Sequence, residues 1–198
     1  MDARGLSLLN GLPDERFVAQ LYLCCGSHEW THRMLALRPF ASLQHLQACA
    51  DYTWWSCPES EWRASFLCHP RIGGDLSTLR QKYAAATPSA QSSPVEGRNT
   101  AWEGEEQGGA RAASEATLQA LSAGNAHYEA SFDHVFLICA TGKSADEMLF
   151  ALRARLHNPK EAELLIATGE QAKITALRLV KLLAALEEER VAPCSSRL

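Results

Sequence analysis

The sequence predicts an all-α fold: a single compact multi-helix domain of about seven or eight helices with one short buried extended segment. Three observations support this prediction. Apolar residues recur at three- and four-residue spacing along most of the chain, which is typical of helices that bury one face. Residues that favour helix starts and helix stops bracket these stretches. The chain has 198 residues, 46% of them hydrophobic, which is enough to bury one sizeable core.

Four helices are predicted in the first part of the chain, each bounded by its own signals. Proline at a first helical position and acidic residues in the first turn favour a start, and glycine or proline favours an end. Serine favours a start because its hydroxyl accepts hydrogen bonds from the first amides of a helix. These signals are, in chain order, Pro13 followed by Asp14 and Glu15, Gly26, Pro39, Ser42 and Pro58. The four helices bounded by these signals carry, in chain order, Leu21, Met34, Leu46 and Trp62 on their apolar faces.

The fourth helix leads into the sequence SFLCHPRIGG, residues 65–74. Pro70 lacks an amide hydrogen and disfavours helical geometry at the preceding residue, so this helix is predicted to end at His69. A histidine at this place either caps the last carbonyls of the helix or projects into a cleft with one ring nitrogen held. The neighbouring Cys68 is not expected to form a catalytic dyad with His69, because adjacent helical residues point about 100° apart.

The second half of the chain predicts further helices on either side of one apolar segment. Their signals are a helical pattern through Leu118, Leu121 and Tyr128, the capping box Ser144 and Glu147, and the start Asn158, Pro159 and Glu161. The run HVFLICAT, residues 134–141, is interpreted as the buried extended segment. Residues 84–100 are expected to form a mobile insertion. We predict a domain over residues 1–190 and an exposed tail over 191–198.

Composition and charge exclude several classes of function. The formal net charge is −4, and the 19 Lys and Arg residues are scattered, which disfavours nucleic acid as a partner. No apolar run approaches the roughly 20 residues of a membrane helix, and the amino-terminal residues lack a signal-peptide core. The seven cysteines show no paired C-x-x-C spacing. We therefore expect a protein that is neither secreted nor bound to membranes, with reduced and mostly buried thiols.

The last three residues suggest a cellular location. Ser196, Arg197 and Leu198 resemble the peroxisomal import signal of the Ser-Lys-Leu type, with arginine keeping the positive charge of lysine. Such a signal is read by an import receptor and does not anchor the protein to a membrane. The tail predicts a peroxisomal protein with that receptor as a partner, and a cytoplasmic protein is the alternative.

Other candidate groups have ordinary structural interpretations. The spacings of His69, His127 and His134 match none of the usual zinc patterns, and the last two are expected to be surface or capping histidines. The acidic run EGEEQ, residues 103–107, fits the first turn of a helix, where the helix dipole favours negative charge. Arg178 lies on the apolar face of the final helix, so it either extends its charge to the solvent or has a buried anionic partner.

Six motifs in order carry a resemblance to a known family. They are RPFASL (38–43), HPRIGG (69–74), WEGEEQ (102–107), NAHYEASF (125–132), FLICATGKS (136–144) and EQAKITALRL (170–179). Together they resemble the 2-oxo-4-hydroxy-4-carboxy-5-ureidoimidazoline (OHCU) decarboxylases of urate degradation. The similarity is strongest to the plant-type branch, in which this domain is often fused to a transthyretin-like hydrolase.

The resemblance implies a reaction and a set of site residues. It implies loss of the substrate's carboxylate to give (S)-allantoin without a cofactor, in a protein that is often a homodimer. His69 and Glu106 are then catalytic. The residues implied to bind substrate are Pro70, Glu103, Gln107, Phe136, Leu137, Ile138, Cys139, Ala140 and Arg178. Two alternatives remain at this point: an inactive helical interaction module of the urate pathway, and a hydrolase acting on a ureido compound.

Overall fold

The computed structural model describes residues 2–71 and 115–191, and within them it contains eight helices and no β-strand. The helices are α1 (Asp2–Asn10), α2 (Asp14–Cys25), α3 (His28–Ala36), α4 (Leu43–Trp55), α5 (Glu59–Phe66), α6 (Glu115–Phe132), α7 (Ala145–Arg155) and α8 (Lys160–Val191). The predicted all-α class is confirmed. The expected mobile insertion at residues 84–100 lies outside the described residues, as does the predicted tail 191–198 except for Val191, which is the last residue of α8, so both stay predictions.

The chain divides into two compact units. The first unit comprises residues 1–65 and 172–198, and the second comprises residues 66–171. Helix α8 therefore contributes residues to both units. Within the described ranges, no helix is long and apolar enough to cross a bilayer.

Local signals place most helix ends of the first unit where the sequence predicts them. Helix α2 ends at Gly26, which adopts a φ of 77° and donates its amide hydrogen to the Tyr22 carbonyl at 2.7 Å. Glycine reaches this left-handed conformation without the steric cost that a side chain adds. Helix α4 begins after Ser42, whose hydroxyl accepts a hydrogen bond of 3.0 Å from the His45 amide. Both predicted boundaries are confirmed.

Helix α1 is not anticipated by the sequence patterns. Its Leu6 and Leu9 are buried, and the Gly5 amide donates a 2.7 Å hydrogen bond to the Glu187 carboxylate of α8. A Cβ atom at Gly5 would lie 2.6 Å from the Leu183 carbonyl oxygen, so the backbones of the two helices approach closely here. Glycine weakens a helix by about 1 kcal/mol relative to alanine, and packing against α8 compensates for this cost.

Helix α5 ends three residues earlier than predicted. Its last helical residue is Phe66, and His69 follows in a turn in which its amide donates to the Phe66 carbonyl at 3.2 Å. In a continued helix the ring of Pro70 would collide with the carbonyl of the residue four positions before it, which is Phe66. That carbonyl instead accepts the hydrogen bond from the His69 amide, three residues ahead, as in a 3₁₀ turn. The predicted helix end at His69 is therefore wrong.

The second unit packs helices α6 and α7 around a core of aromatic and aliphatic side chains. Tyr128, Phe136 and Met148 are fully or almost fully buried within it. Helix α7 begins with the predicted capping box, in which Ser144 and Glu147 each bond the other's backbone amide. Those hydrogen bonds hold the pKa of Glu147 below its ordinary value. Residues 135–140 form neither helix nor strand and are largely buried, so the predicted burial is confirmed and the extended geometry stays a prediction.

Candidate active site

The turn that carries His69 belongs to the second unit. His69 and Pro70 are half-buried, and the Nε2 atom of His69 is enclosed by protein. Arg71 follows at once and forms two hydrogen bonds with the Glu129 carboxylate, from Nε at 2.5 Å and from Nη2 at 2.8 Å. The turn therefore holds its imidazole partly shielded from water, a setting in which a histidine can exchange protons with a bound molecule.

His134 is buried in the second unit, contrary to the expected surface or capping position. Its side chain is 5% exposed, and Nδ1 lies 3.0 Å from the Val135 carbonyl oxygen. The imidazole lies against three rings, with centroid distances of 5.3 Å to Phe66, 5.5 Å to Tyr128 and 6.2 Å to Phe132. No local pattern marks this burial, because the charged and exposed Asp133 precedes His134 and only the following residues are apolar. His127 is exposed, as expected.

The apolar run of residues 136–140 is held at two backbone positions. Phe136, Leu137, Ile138 and Ala140 are each at most 6% exposed, and Cys139 is half-buried. The Leu137 carbonyl accepts a 2.8 Å hydrogen bond from Arg155 Nη1, and the Cys139 amide donates a 2.7 Å hydrogen bond to Glu170 Oε2. The run is therefore a largely buried apolar segment whose backbone is held at two points, and residues 136–140 are called the apolar wall from here on.

A buried polar network supports this wall, and no sequence pattern indicates it. Glu163 is fully buried and accepts hydrogen bonds from Arg155 Nε at 2.7 Å, from Asn158 Nδ2 at 2.7 Å and from the Tyr128 hydroxyl. The Arg155 guanidinium also stacks 4.7 Å from the centre of the Phe136 ring. Burial, together with the Glu163 carboxylate, raises the pKa of Tyr128 despite the opposing charge of Arg155. The phenol is therefore a neutral hydrogen-bond donor.

Arg178 belongs to the first unit and is buried there. Its side chain is 2% exposed, and Nη1 donates a hydrogen bond of 3.3 Å to the Leu23 carbonyl. The first of the two expected arrangements, in which the charge extends to the solvent, is therefore not observed. A buried guanidinium is suited to bind an oxygen of a ligand with its planar set of donors.

Several predicted site residues cannot be placed. Glu103, Glu106 and Gln107 lie outside the described residues, as do Ser196, Arg197 and Leu198. Pro70 and residues 136–140 share the second unit with His69, whereas Arg178 is in the first. Within residues 2–71 and 115–191, no group of three or more His, Cys, Asp and Glu side chains could hold a metal ion. The six cysteines of these ranges form no disulfide.

The fold and site define a class of protein: an all-α protein with a half-buried His-Pro turn and an apolar wall in one unit, and a buried arginine on its last helix. The OHCU decarboxylase family model matches residues 10–180. The chain belongs to the OHCU decarboxylase family.

Similar sequences and structures support this assignment. The chain is 34% identical over 161 residues to the uric acid degradation bifunctional protein TTL of Arabidopsis thaliana, covering 81% of this chain and 45% of that protein. It thus spans about half the length of this relative. A crystal structure of OHCU decarboxylase in the presence of (S)-allantoin matches with a TM-score of 0.62 and 30% identity, over 87% of this chain and 99% of the other. A crystal structure of (S)-allantoin synthase, with 14% identity and a TM-score of 0.61 over 89% of this chain and 53% of the other, shares the fold.

Proposed function

We propose that this protein is a cofactor-independent carboxy-lyase that converts OHCU to (S)-allantoin in urate degradation. The observation that carries the proposal is the half-buried His69–Pro70 turn, which shares one unit with the apolar wall of residues 136–140 in a chain of this family. A partly shielded imidazole can act as a general acid and base near neutral pH. An apolar wall in the same unit would favour release of neutral carbon dioxide over retention of a solvated carboxylate.

The proposed reaction needs no external electron sink. The bond between the ring carbon and the carboxylate breaks, carbon dioxide leaves, and the electron pair moves into the adjacent carbon–nitrogen double bond of the ring. His69 accepts the proton of the substrate hydroxyl, so that this oxygen becomes the ring carbonyl of the product. The ring nitrogen that receives the electron pair takes up a proton, and protonation of the ring carbon of the enamine-like intermediate from one face gives the S configuration; one of these two protons is the hydroxyl proton held by His69 and the other comes from water. Such proton transfers by a positioned side chain contribute about 10²–10⁴-fold to a rate.

The remaining site residues are assigned supporting roles. Glu106 would hold the imidazole or the ureido group, and Glu103 and Gln107 would bind polar atoms of the substrate. Arg178 would bind an anionic or carbonyl oxygen, a task for which its planar donors are suited. Pro70 and the wall of residues 136–140 would bound the flat ring.

Product analysis tests the reaction class. OHCU is generated in situ from urate, and (S)-allantoin is followed by circular dichroism against the slow, racemic spontaneous decay. We expect an optically active product and the release of one carbon dioxide per substrate consumed. Both should form faster than in the spontaneous decay. Release of ammonia with a retained carboxylate would identify a hydrolase, and an unchanged racemic decay would indicate an inactive interaction module.

We further propose a cellular location and an assembly state. Where Ser196, Arg197 and Leu198 form a free carboxyl terminus, the peroxisomal import receptor would read them. A fluorescent protein ending in the last ten residues should then collect in peroxisomes, and a diffuse cytosolic signal would argue against the proposal.

For a homodimer, light scattering should give about twice the 21.7 kDa mass of one chain. A mass near that of one chain would contradict dimerisation.

A further inference from the structure

Tyr128 and Glu129, two consecutive residues of helix α6, are connected to opposite ends of the turn that carries His69. The Tyr128 ring lies 5.5 Å from the His134 imidazole, which in turn lies 5.3 Å from the Phe66 ring at the end of α5. Glu129 binds Arg71 on the other side of the turn. One turn of α6 is therefore linked to both flanks of residues 67–70, through the His134 ring on one side and directly by the Glu129–Arg71 pair on the other.

The two contacts differ in kind. On the amino-terminal side the contact is between rings, because Phe66 is fully buried and its ring packs against that of His134. On the carboxyl-terminal side the contact is ionic, and both Nε and Nη2 of Arg71 are committed to Glu129. Leu67 and Cys68, which lie between these contacts, are exposed. His69 and Pro70 thus lie between two contacts, one at each end of the turn.

The geometry of the ionic contact suits a positioning role better than a stabilising one. The Arg71 side chain is 62% exposed and that of Glu129 is 24% exposed. Exposed ion pairs contribute little to global stability. A bidentate pair between a planar guanidinium and a carboxylate nevertheless constrains both distance and orientation. The hydrogen bonds with Glu129 also raise the pKa of Arg71, so its guanidinium stays charged.

We propose that Arg71 and Glu129 are positioning residues that hold the His69–Pro70 turn in its productive orientation. This inference rests on the proposed function of His69. Neither residue needs to touch the substrate, because the pair acts through the backbone of the turn. A shift of about 1 Å in a reacting group can cost on the order of a hundredfold in rate, so a weak surface pair can have a large kinetic effect.

The test compares Arg71→Ala, Glu129→Ala and the double variant with a matched control. The control is Lys160→Ala, which removes another exposed ion pair of the same unit, at 3.1 Å from Asp133. We expect both single variants to lose about tenfold or more in kcat with KM unchanged within about twofold. The double variant should be no worse than either single one, because both changes remove the same contact. Lys160→Ala should keep full activity.

A second measurement does not depend on activity. The His69 amide donates a hydrogen bond to the Phe66 carbonyl, so the rate at which this amide exchanges its hydrogen with water measures how often the turn opens. We expect exchange about tenfold faster in Arg71→Ala and in Glu129→Ala than in Lys160→Ala, with thermal midpoints alike. Unchanged exchange in both variants would overturn the proposal.

The outcomes separate this proposal from the proposed function. If the unaltered protein makes no (S)-allantoin, the proposed function fails, and amide exchange still decides whether the pair orders the turn. If the unaltered protein is active and Glu129→Ala keeps its activity, the positioning role is wrong. A rise in KM confined to Arg71→Ala would instead mean that Arg71 binds the substrate directly.

Discussion

Arg155 donates a hydrogen bond of 2.8 Å from Nη1 to the carbonyl oxygen of Leu137. The same guanidinium is paired with the fully buried Glu163, at 2.6 Å from Nη2. A buried carboxylate of α8 thus orients an arginine of α7, and the arginine fixes the backbone of the apolar wall. The conformation of this wall therefore depends on a charge pair whose members lie in two different helices.

Arg155→Met should destabilise the protein strongly. Removing one partner of a buried pair leaves the other charge without compensation, at a cost of about 3–5 kcal/mol. For a protein of this size the thermal midpoint should fall by roughly 10 °C. Combining the change with Glu163→Leu should recover part of the loss, because no buried charge then remains. A midpoint within about 2 °C of the unaltered protein would show that the network is not structurally important.

His69→Asn should preserve folding and remove most of the turnover. Loss of a general acid and base is expected to lower kcat by about a hundredfold or more. The measurement is the circular dichroism assay for (S)-allantoin, with a melting curve as the folding control. A capping histidine predicts the opposite result: a loss of about 1 kcal/mol of stability with activity kept. Full stereospecific activity in the folded variant would refute the catalytic assignment.

Gly5→Ala should destabilise the protein although alanine is the better helix former. The added Cβ would lie 2.6 Å from the Leu183 carbonyl oxygen, and a backbone atom cannot move aside as a flexible side chain can. Overpacking of this kind costs about 1–3 kcal/mol. Gly11→Ala is the matched control, because its Cβ would lie 3.4 Å from the Ser7 carbonyl oxygen, an ordinary van der Waals contact. Equal urea midpoints for the two variants would contradict the close approach of α1 to α8.

Thiol reagents should distinguish the cysteines by their burial. Cys68 is exposed, whereas burial raises the pKa of Cys57 to about 11 and also raises that of Cys25. At pH 8 a thiol with a pKa of about 11 is ionised in only about one molecule in a thousand, and the thiolate is the reactive form. In the native protein Cys68 should react before Cys57 and Cys25, as located by mass spectrometry. Cys68→Ser should remove this early reaction. Early labelling of Cys25 would show that the interior of the first unit opens readily.

Helix boundaries with a local cause were predictable from the sequence. Gly26, Ser42 and the Ser144–Glu147 capping box each act within a few residues of their own position, so their effect can be read from neighbouring letters. The family motifs predict His69, Pro70 and the wall of residues 136–140 as site residues; these residues lie in one unit, and their roles stay predictions. The position of Arg178 on an apolar helical face left both solvent exposure and burial of its charge open, and the structure shows burial.

Other features depend on partners distant in the sequence. Helix α1 is stabilised by contacts of Gly5 with residues of α8 more than 170 positions away, such as Glu187 at a separation of 182. Arg71 and Glu129 are separated by 58 residues, and Tyr128 and Glu163 by 35. Neither member of such a pair carries a local signal, because a charged residue has the same local pattern whether water or a buried partner satisfies it. Only tertiary packing brings the partners together, and the burial of His134 and the support of the apolar wall were decided there.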